Sequence, residues 1–118
     1  MPTHKCCTFS RIHCLDPKSN TNGDDIYIKV SIDGGREVRY PDKGTFVDGM
    51  QAGDWTPYLN IPFEFNETLF IELLEHDPIG DDDYLGSVTF TPSNLAPLTP
   101  VIGSESAYDF ELTDIRDC

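Results

Sequence analysis

Basic residues are scarce in this sequence of 118 residues: eight Lys and Arg stand against 21 Asp and Glu, which gives a formal net charge of −13. Nucleic acid and anionic lipid repel a chain this acidic, so the composition excludes a nucleic-acid-binding protein and a general electrostatic attraction to membranes. The acidic residues are concentrated at two places, which a surface that merely favours solubility does not require. The two clusters therefore need an explanation of their own.

Long apolar runs are also missing from the sequence. No segment approaches the roughly 18 consecutive apolar residues of a membrane-spanning helix, and the N-terminus lacks the apolar stretch of a signal peptide. Because a secreted chain whose leader has been removed would look the same, the sequence leaves secretion open. Apolar residues make up 38% of the chain, so we expect one folded domain over residues 1–118, with its core over about residues 8–114.

Helix-type periodicity is nearly absent, and strand-type alternation takes its place. The clearest strand has Ile26, Ile28, Val30 and Ile32 at every second position, and the segment Asp33-Gly34-Gly35-Arg36 after it predicts a hairpin turn. Further strands are predicted over residues 9–15, 36–40, 60–65, 68–75, 84–91 and 107–113, with a short one near 45–47 and a loop over 92–106. Seven to eight short strands predict an all-β protein, an antiparallel Greek-key β-sandwich.

The four cysteines, Cys6, Cys7, Cys14 and Cys118, lie near the two ends of the sequence. The favoured interpretation is reduced thiols in a cytosolic protein, with Cys14 as a small buried apolar residue. The alternative is a disulfide that joins Cys6 or Cys7 to Cys118 across neighbouring ends of the chain.

Two loops carry the acidic clusters. The segment from Glu75 to Asp83 puts five carboxylates into nine residues directly after a predicted strand, and the second cluster, from Asp16 to Asp25, precedes the clearest strand. Crowding like charges in this way costs energy unless a cation neutralises them, and oxygen ligands suit Ca²⁺. Because loops at one end of a sandwich lie together, the sequence predicts a shared calcium site with Asp16, Asp25, Glu75, Asp77 and Asp83 as ligands.

The calcium loop of the EF-hand is excluded by its spacing. That loop needs Gly at its sixth position and Glu at its twelfth, between two helices. A count from Asp81 places Gly86 correctly but puts Pro92 where Glu is required, and a count back from Gly23 begins at Lys18.

Three motifs in order resemble those of the C2 domain, the calcium- and phospholipid-binding β-sandwich found in protein kinase C and synaptotagmin. Asp16 followed by Asp25-Ile26-Tyr27-Ile28-Lys29-Val30 resembles the family's first loop and strand, and Pro57-Tyr58-Leu59-Asn60-Ile61-Pro62-Phe63-Glu64-Phe65 resembles a later strand. Glu75-His76-Asp77, then Asp83-Tyr84-Leu85-Gly86 six residues on from Asp77, resembles the third loop. The chain is therefore similar to a stand-alone C2 domain over roughly residues 8 to 113.

The sequence departs from the family pattern at three points. Glu75 replaces an aspartate of the third loop, and Ile26 replaces the usual proline. The first loop is longer than usual, so Asp24 is an alternative to Asp16 as its ligand.

The resemblance implies a module that binds Ca²⁺ and then associates with a phospholipid membrane or a protein partner, and a cytoplasmic or peripheral membrane location. Ile79, at the tip of the third loop, is the candidate for membrane contact. Some family members also bind anions along a basic groove, for which Lys29, Arg36, Arg39 and Lys43 are candidates, although a sheet face with interspersed charges is the commoner meaning of such a set. The alternative function is a structural or protein-interaction sandwich in which calcium only stabilises the loops. The sequence does not indicate an oligomeric state.

We expect no enzymatic activity. The sequence has three histidines, none of them in a recognisable nucleophile motif, and it has no Gly-rich phosphate loop. A zinc site from His4, Cys6, Cys7, His13 and Cys14 is disfavoured, because adjacent cysteines without paired Cys-x-x-Cys segments do not match the usual spacing of structural zinc sites.

Overall fold

The protein is described by a computed structural model that covers residues 4–19 and 21–118, so residues 1–3 and residue 20 of the predicted domain lie outside the described part. The described residues form nine strands: β1 (Lys5–Asp16), β2 (Asp24–Ile32), β3 (Val38–Tyr40), β4 (Val47–Met50), β5 (Ile61–Phe65), β6 (Leu69–Glu75), β7 (Asp83–Phe90), β8 (Leu98–Ile102) and β9 (Ala107–Asp117). They build two antiparallel sheets that form a β-sandwich, one ordered β5-β1-β9-β8 and the other β3-β2-β6-β7, with β4 also paired to β2.

Strand β2 shows how the sequence directs side chains to the two faces of its sheet. Ile26, Ile28 and Val30 are buried between the sheets, as their spacing of two predicts. Tyr27 points the other way and is nevertheless buried, because the guanidinium of Arg39 stacks over its ring at 3.9 Å from the centroid. The strand therefore has one apolar face towards the core and one face covered by a cation–π contact.

The core lies between β1 and β9 of one sheet and β2 and β6 of the other. Phe9 is fully buried there and meets Phe110 edge to face, with ring centroids 5.1 Å apart. Leu69, Ile71 and Leu73 of β6 face them from the second sheet, fully buried. Apolar side chains at every second position of central strands thus supply most of the burial that stabilises the fold.

The predicted all-β sandwich is confirmed, with nine strands where the sequence predicts seven to eight. The predicted strands correspond to β1–β7 and β9. The additional strand, β8, lies within residues 92–106, so the prediction of a loop there is wrong for Leu98–Ile102. Over the described ranges, the chain has no helix long and apolar enough to cross a membrane.

The favoured interpretation of the cysteines is wrong for one pair. Cys6 and Cys118 form a disulfide, which is one of the alternatives left open by the sequence. Pairing of β1 with β9 places Cys6 opposite Arg116, and this register brings Cys118 within reach. Cys7 and Cys14 are free and buried, so the predicted apolar role of Cys14 is confirmed.

Candidate metal centre

The two acidic loops meet at one end of the sandwich. One is formed by Asp16, Asp24 and Asp25, at the strand ends that flank the β1–β2 loop (residues 17–19 and 21–23), and the other by the β6–β7 loop (residues 76–82) with the strand ends beside it. The register of the sheet places Glu75 opposite both Ile26 and Asp83. Between the loops is an open cavity of about 430 Å³. Four of the five predicted ligands line this acidic cavity, together with Lys18 and His76: Asp25, Glu75, Asp77 and Asp83.

Asp25 is held where β2, β4 and the β6–β7 loop meet. Its Oδ1 accepts a hydrogen bond from the backbone N–H of Gly49 at 2.7 Å, and its backbone carbonyl accepts one from the N–H of His76 at 2.8 Å. Gly23 makes this approach possible, since a Cβ there would lie 2.4 Å from the carbonyl carbon of Gly49. Only glycine allows the β1–β2 loop to pack so closely on β4, and its φ of +73° suits glycine as well.

Asp24 is the functional residue that the sequence analysis offers only as an alternative. Its carboxylate is fully buried and accepts hydrogen bonds from the backbone N–H groups of Lys18 and Ser19, at 2.8 and 2.9 Å, and from the hydroxyl of Tyr108. These donors compensate the cost of burying a charge and fix the shape of the β1–β2 loop. Asp24 lies two residues before Ile26 and so shares its inward face, but nothing in the local sequence indicates the hydroxyl of Tyr108 that helps to compensate its burial.

Glu75 lies beside this buried carboxylate. Burial, with contributions from a side-chain hydrogen bond to Asp24 and from the charges of Asp24 and Asp83, raises the pKa of Glu75 to about 8. Ionisation of Glu75 is therefore costly here, because it puts a second negative charge beside a buried carboxylate. A divalent cation in the cavity would remove the same repulsion.

Asp77 and Asp82 shape the β6–β7 loop from within. Oδ1 of Asp77 accepts a hydrogen bond from the N–H of Ile79 at 2.9 Å, and the N–H of Asp77 donates to Oδ1 of Asp82 at 2.9 Å. Asp82 also accepts a hydrogen bond from the hydroxyl of Tyr27 and lies 3.2 Å from Nδ1 of His76. The Tyr27 bond, followed by the Asp77 N–H, lowers the pKa of Asp82. Asp82 therefore positions the loop, while Asp77 faces the cavity.

A lysine of the first loop reaches the mouth of the cavity. Nζ of Lys18 lies 3.1 Å from Oδ2 of Asp83 and 3.6 Å from Oε2 of Glu105, and the Asp83 contact raises the pKa of Lys18. This ammonium neutralises part of the negative charge of the cavity.

Asp16 and Ile79 lie at the same end of the sandwich without facing the cavity. Asp16 is the last residue of β1, exposed and opposite Ala107, and it does not line the cavity. The predicted convergence therefore applies to four of the five acids, and the role of Asp16 as a ligand stays a prediction. Ile79 is 96% exposed at the tip of the β6–β7 loop, as its place in the sequence indicates.

Two residues of the candidate basic groove, Lys29 and Arg39, make contacts within the protein. Nζ of Lys29 lies 3.6 Å from Glu37, and Arg39 stacks on Tyr27 and donates to two backbone carbonyls. For Lys29 and Arg39, the structure therefore favours interspersed charges on a sheet face over an anion-binding groove.

Comparison of the fold with solved structures identifies C2 domains. The first C2 domain (domain A) of plant extended synaptotagmin 1 superposes with a TM-score of 0.61 at 12% identity, over 99% of this chain and 96% of that one. A calcium-bound structure of extended synaptotagmin 2, which contains its C2 domains A and B, gives 0.60 at 18% identity over 95% of this chain and 45% of that one. Human group IVD cytosolic phospholipase A2 gives 0.55 at 14% identity over 98% of this chain, which spans 18% of the enzyme.

Sequence comparison adds nothing to this result, since no protein-family model and no curated protein matches the chain. At these identities, the structural likeness establishes the fold alone. The described residues have a C2-like fold in a single domain, with the acidic loops at one end of the sandwich.

Proposed function

We propose that this protein is a non-catalytic, calcium-binding C2-like module that associates in a calcium-dependent manner with a phospholipid membrane or a protein partner. The observation that carries the proposal is the presence of Asp25, Glu75, Asp77 and Asp83 around one cavity. These side chains supply the carboxylate oxygens that Ca²⁺ prefers, at roughly six to eight per ion when backbone carbonyls and water are included. Bound Ca²⁺ would reverse the sign of the local potential.

The loop tip supports a membrane as the partner. Ile79 projects an apolar side chain beyond the acidic cavity, where it is 96% exposed. Once calcium neutralises the carboxylates below it, anionic lipid is no longer repelled from this end of the protein. A single exposed apolar residue is common on soluble proteins. The alternative function, a sandwich in which calcium only stabilises the loops, uses the same calcium ligands and needs no membrane contact by Ile79.

The location in the cell stays a prediction. A cytoplasmic or peripheral membrane location follows from the resemblance, whereas the Cys6–Cys118 disulfide is typical of oxidising compartments and favours secretion. Measuring the redox state of Cys6 in protein taken directly from its source decides between them.

Calorimetric calcium titration tests the metal site. We expect Asp77→Asn to weaken calcium binding by at least about tenfold, because a ligand charge is lost from the cavity. Asp42→Asn is the matched control, since Asp42 is an exposed acid that does not line the cavity. Equal calcium binding by the wild type and Asp77→Asn would refute the site.

Sedimentation with vesicles distinguishes the two functions. The membrane function requires that the protein sediments with vesicles containing phosphatidylserine when calcium is present and stays in the supernatant when calcium is chelated. Calcium binding without sedimentation would support the alternative in which calcium stabilises the loops.

A further inference from the structure

A second group of metal-ligating side chains lies at the opposite end of β1 from the acidic cavity. His4, Cys6, Glu64 and Cys118 each offer one ligand atom, and these four atoms all lie within 4.8 Å of one another. The strands bring them together: Cys6 pairs with Glu64 of β5 on one side and with Arg116 of β9 on the other, and the N–H of Cys118 donates to the carbonyl of His4 at 3.1 Å.

We propose that this cluster is a redox-controlled zinc site, in which reduction of the Cys6–Cys118 disulfide creates a four-ligand centre for one Zn²⁺. A two-electron reductant, either a dithiol or a phosphine, breaks the S–S bond. Each sulfur takes up one electron and one proton. A dithiol supplies both protons and leaves as its own disulfide, whereas with a phosphine one water molecule supplies both protons and the oxygen of the phosphine oxide. Zn²⁺ then displaces the two thiol protons and the proton between His4 and Glu64 into the solvent, and binds the two thiolates, the imidazole and the carboxylate.

The histidine is already oriented for this role. Nδ1 of His4 lies 2.6 Å from Oδ1 of Asn66, an acceptor that favours a proton on this nitrogen. Nε2 is then the ring nitrogen that faces the other ligands, and a hydrogen-bonded partner on the other ring nitrogen is usual for histidines that bind metals. Nε2 lies 2.7 Å from Oε2 of Glu64 and shares a proton with it, so a metal that binds both atoms has to displace that proton.

The distances suit a tetrahedral ion. Zinc binds sulfur at about 2.3 Å and histidine nitrogen or carboxylate oxygen at about 2.0–2.2 Å, so the ligand atoms of a tetrahedral site lie roughly 3.3–3.8 Å apart. The disulfide holds two of the four atoms closer than this, and its reduction lets the sulfurs separate. Nε2 of His4 and Oε2 of Glu64, now 2.7 Å apart, would also have to separate, which the exposed side chain of Glu64 allows while His4 keeps its contact with Asn66.

The donor set selects the ion. Two thiolates and an imidazole are soft to intermediate ligands that favour Zn²⁺ over Ca²⁺ or Mg²⁺, whereas the acidic cavity offers carboxylates. The cysteine spacing disfavours a zinc site built from residues near the N-terminus, because structural zinc sites usually draw their ligands from short paired motifs. Here they come from the start of β1, from β5 and from the residue after β9, so they leave no linear motif.

Zinc titration of the complete chain in both redox states tests the proposal. Excess Ca²⁺ is present throughout to occupy carboxylates elsewhere, and a phosphine serves as the reductant because dithiols themselves bind zinc. We expect the reduced protein to bind one Zn²⁺ and the oxidised protein to bind none with comparable affinity. Co²⁺ in place of Zn²⁺ is expected to give thiolate-to-metal charge-transfer absorption in the reduced state only.

Variants assign the ligands. His4→Gln and Cys118→Ser should each weaken zinc binding by roughly 100-fold, whereas the matched controls His13→Gln and Cys14→Ser should bind as the wild type does. Equal zinc binding in both redox states, no thiolate absorption with Co²⁺, or full binding by His4→Gln would overturn the proposal. Circular dichroism of the same samples reports folding, and a reduced chain that stays unfolded with zinc present would overturn it as well.

Discussion

Nζ of Lys18 lies 3.1 Å from Oδ2 of Asp83, so a cation of the protein itself is bound to a carboxylate of the acidic cavity. Lys18 comes from the β1–β2 loop and Asp83 from the start of β7, which means that the ion pair joins the two acidic segments. A calcium ion that uses Asp83 has to compete with this ammonium. The pair therefore stabilises the calcium-free loops and opposes calcium binding at the same time.

Replacement of Lys18 by Gln should strengthen calcium binding. The change removes a competing positive charge while it keeps the backbone N–H that donates to Asp24, and for a partly exposed ion pair we expect an increase in affinity of up to roughly fivefold. Calorimetric titration at low and at high salt measures it, with a smaller difference between the proteins at high salt. Lys43→Gln, an exposed lysine elsewhere, is the control. An unchanged or weaker affinity in Lys18→Gln would show that the ammonium does not compete with calcium.

Ile79 should matter for membranes and not for the metal. We expect Ile79→Asp to bind calcium almost as the wild type does and to lose most of its calcium-dependent sedimentation with vesicles, since it places a charge where an apolar side chain would enter the interface. Leu98→Asp is the matched control, because Leu98 is also an exposed apolar residue and lies at the start of β8, away from the loops. If both variants sediment equally well, the tip of the β6–β7 loop does not contact lipid.

The position of the candidate site was predictable from the sequence, but the role of each acidic residue in it was not. Motif spacing predicts that Asp25, Glu75, Asp77 and Asp83 lie together, and all four line the cavity. It could not show that Asp24 is the buried anchor of the first loop, because the hydroxyl it accepts from belongs to Tyr108, 84 residues away. Partners that distant depend on the pairing of β1 with β9, which no local pattern encodes.

Strand β8 was missed for a physical reason. Pro97 precedes it and Pro100 lies within it, and proline cannot donate a hydrogen bond to a neighbouring strand, so the sequence predicts a loop. β8 is at the edge of its sheet and pairs only with β9. An edge strand tolerates proline where the missing N–H would face solvent. Only the tertiary structure shows that β8 is an edge strand. Pro62 occupies a similar place in β5, at the other edge.

Asp33 should contribute to the free energy of unfolding in a way that depends on pH. Its carboxylate accepts hydrogen bonds from the backbone N–H groups of Glu67, Asn66 and Thr68, which lower the pKa of Asp33 below 3.8. A lowered pKa stabilises the folded state at any pH above 3.8, and this contribution is lost as the pH falls below that value.

The comparison with Asp33→Asn isolates this effect. Asparagine tolerates the φ of 51° at this position and removes the charge. Urea unfolding should show Asp33→Asn less stable than the wild type at neutral pH, with the difference shrinking in acid below pH 3.8. A difference in the free energy of unfolding that does not change with pH would contradict this account.

Reduction of the Cys6–Cys118 disulfide should destabilise the protein. The bond joins residues separated by 112 positions, and the loss of so long a closed loop costs about 2–5 kcal/mol of unfolding free energy. Urea unfolding with and without a phosphine, in the presence of a metal chelator, measures the cost. Cys118→Ser is the control and should not respond to the reductant. An unchanged midpoint in the wild type would show that the disulfide does not stabilise the fold.

Strand β1 separates two groups of potential metal ligands along the length of the molecule. The strand begins beside the sulfur and imidazole donors and ends beside the carboxylates, and its 12 residues span about 35–40 Å at the usual rise of an extended strand. That is several times the screening length of about 8–10 Å at physiological ionic strength. A charge bound at one end of the molecule would therefore have almost no electrostatic effect at the other end, so the two proposed metal sites would fill independently of each other.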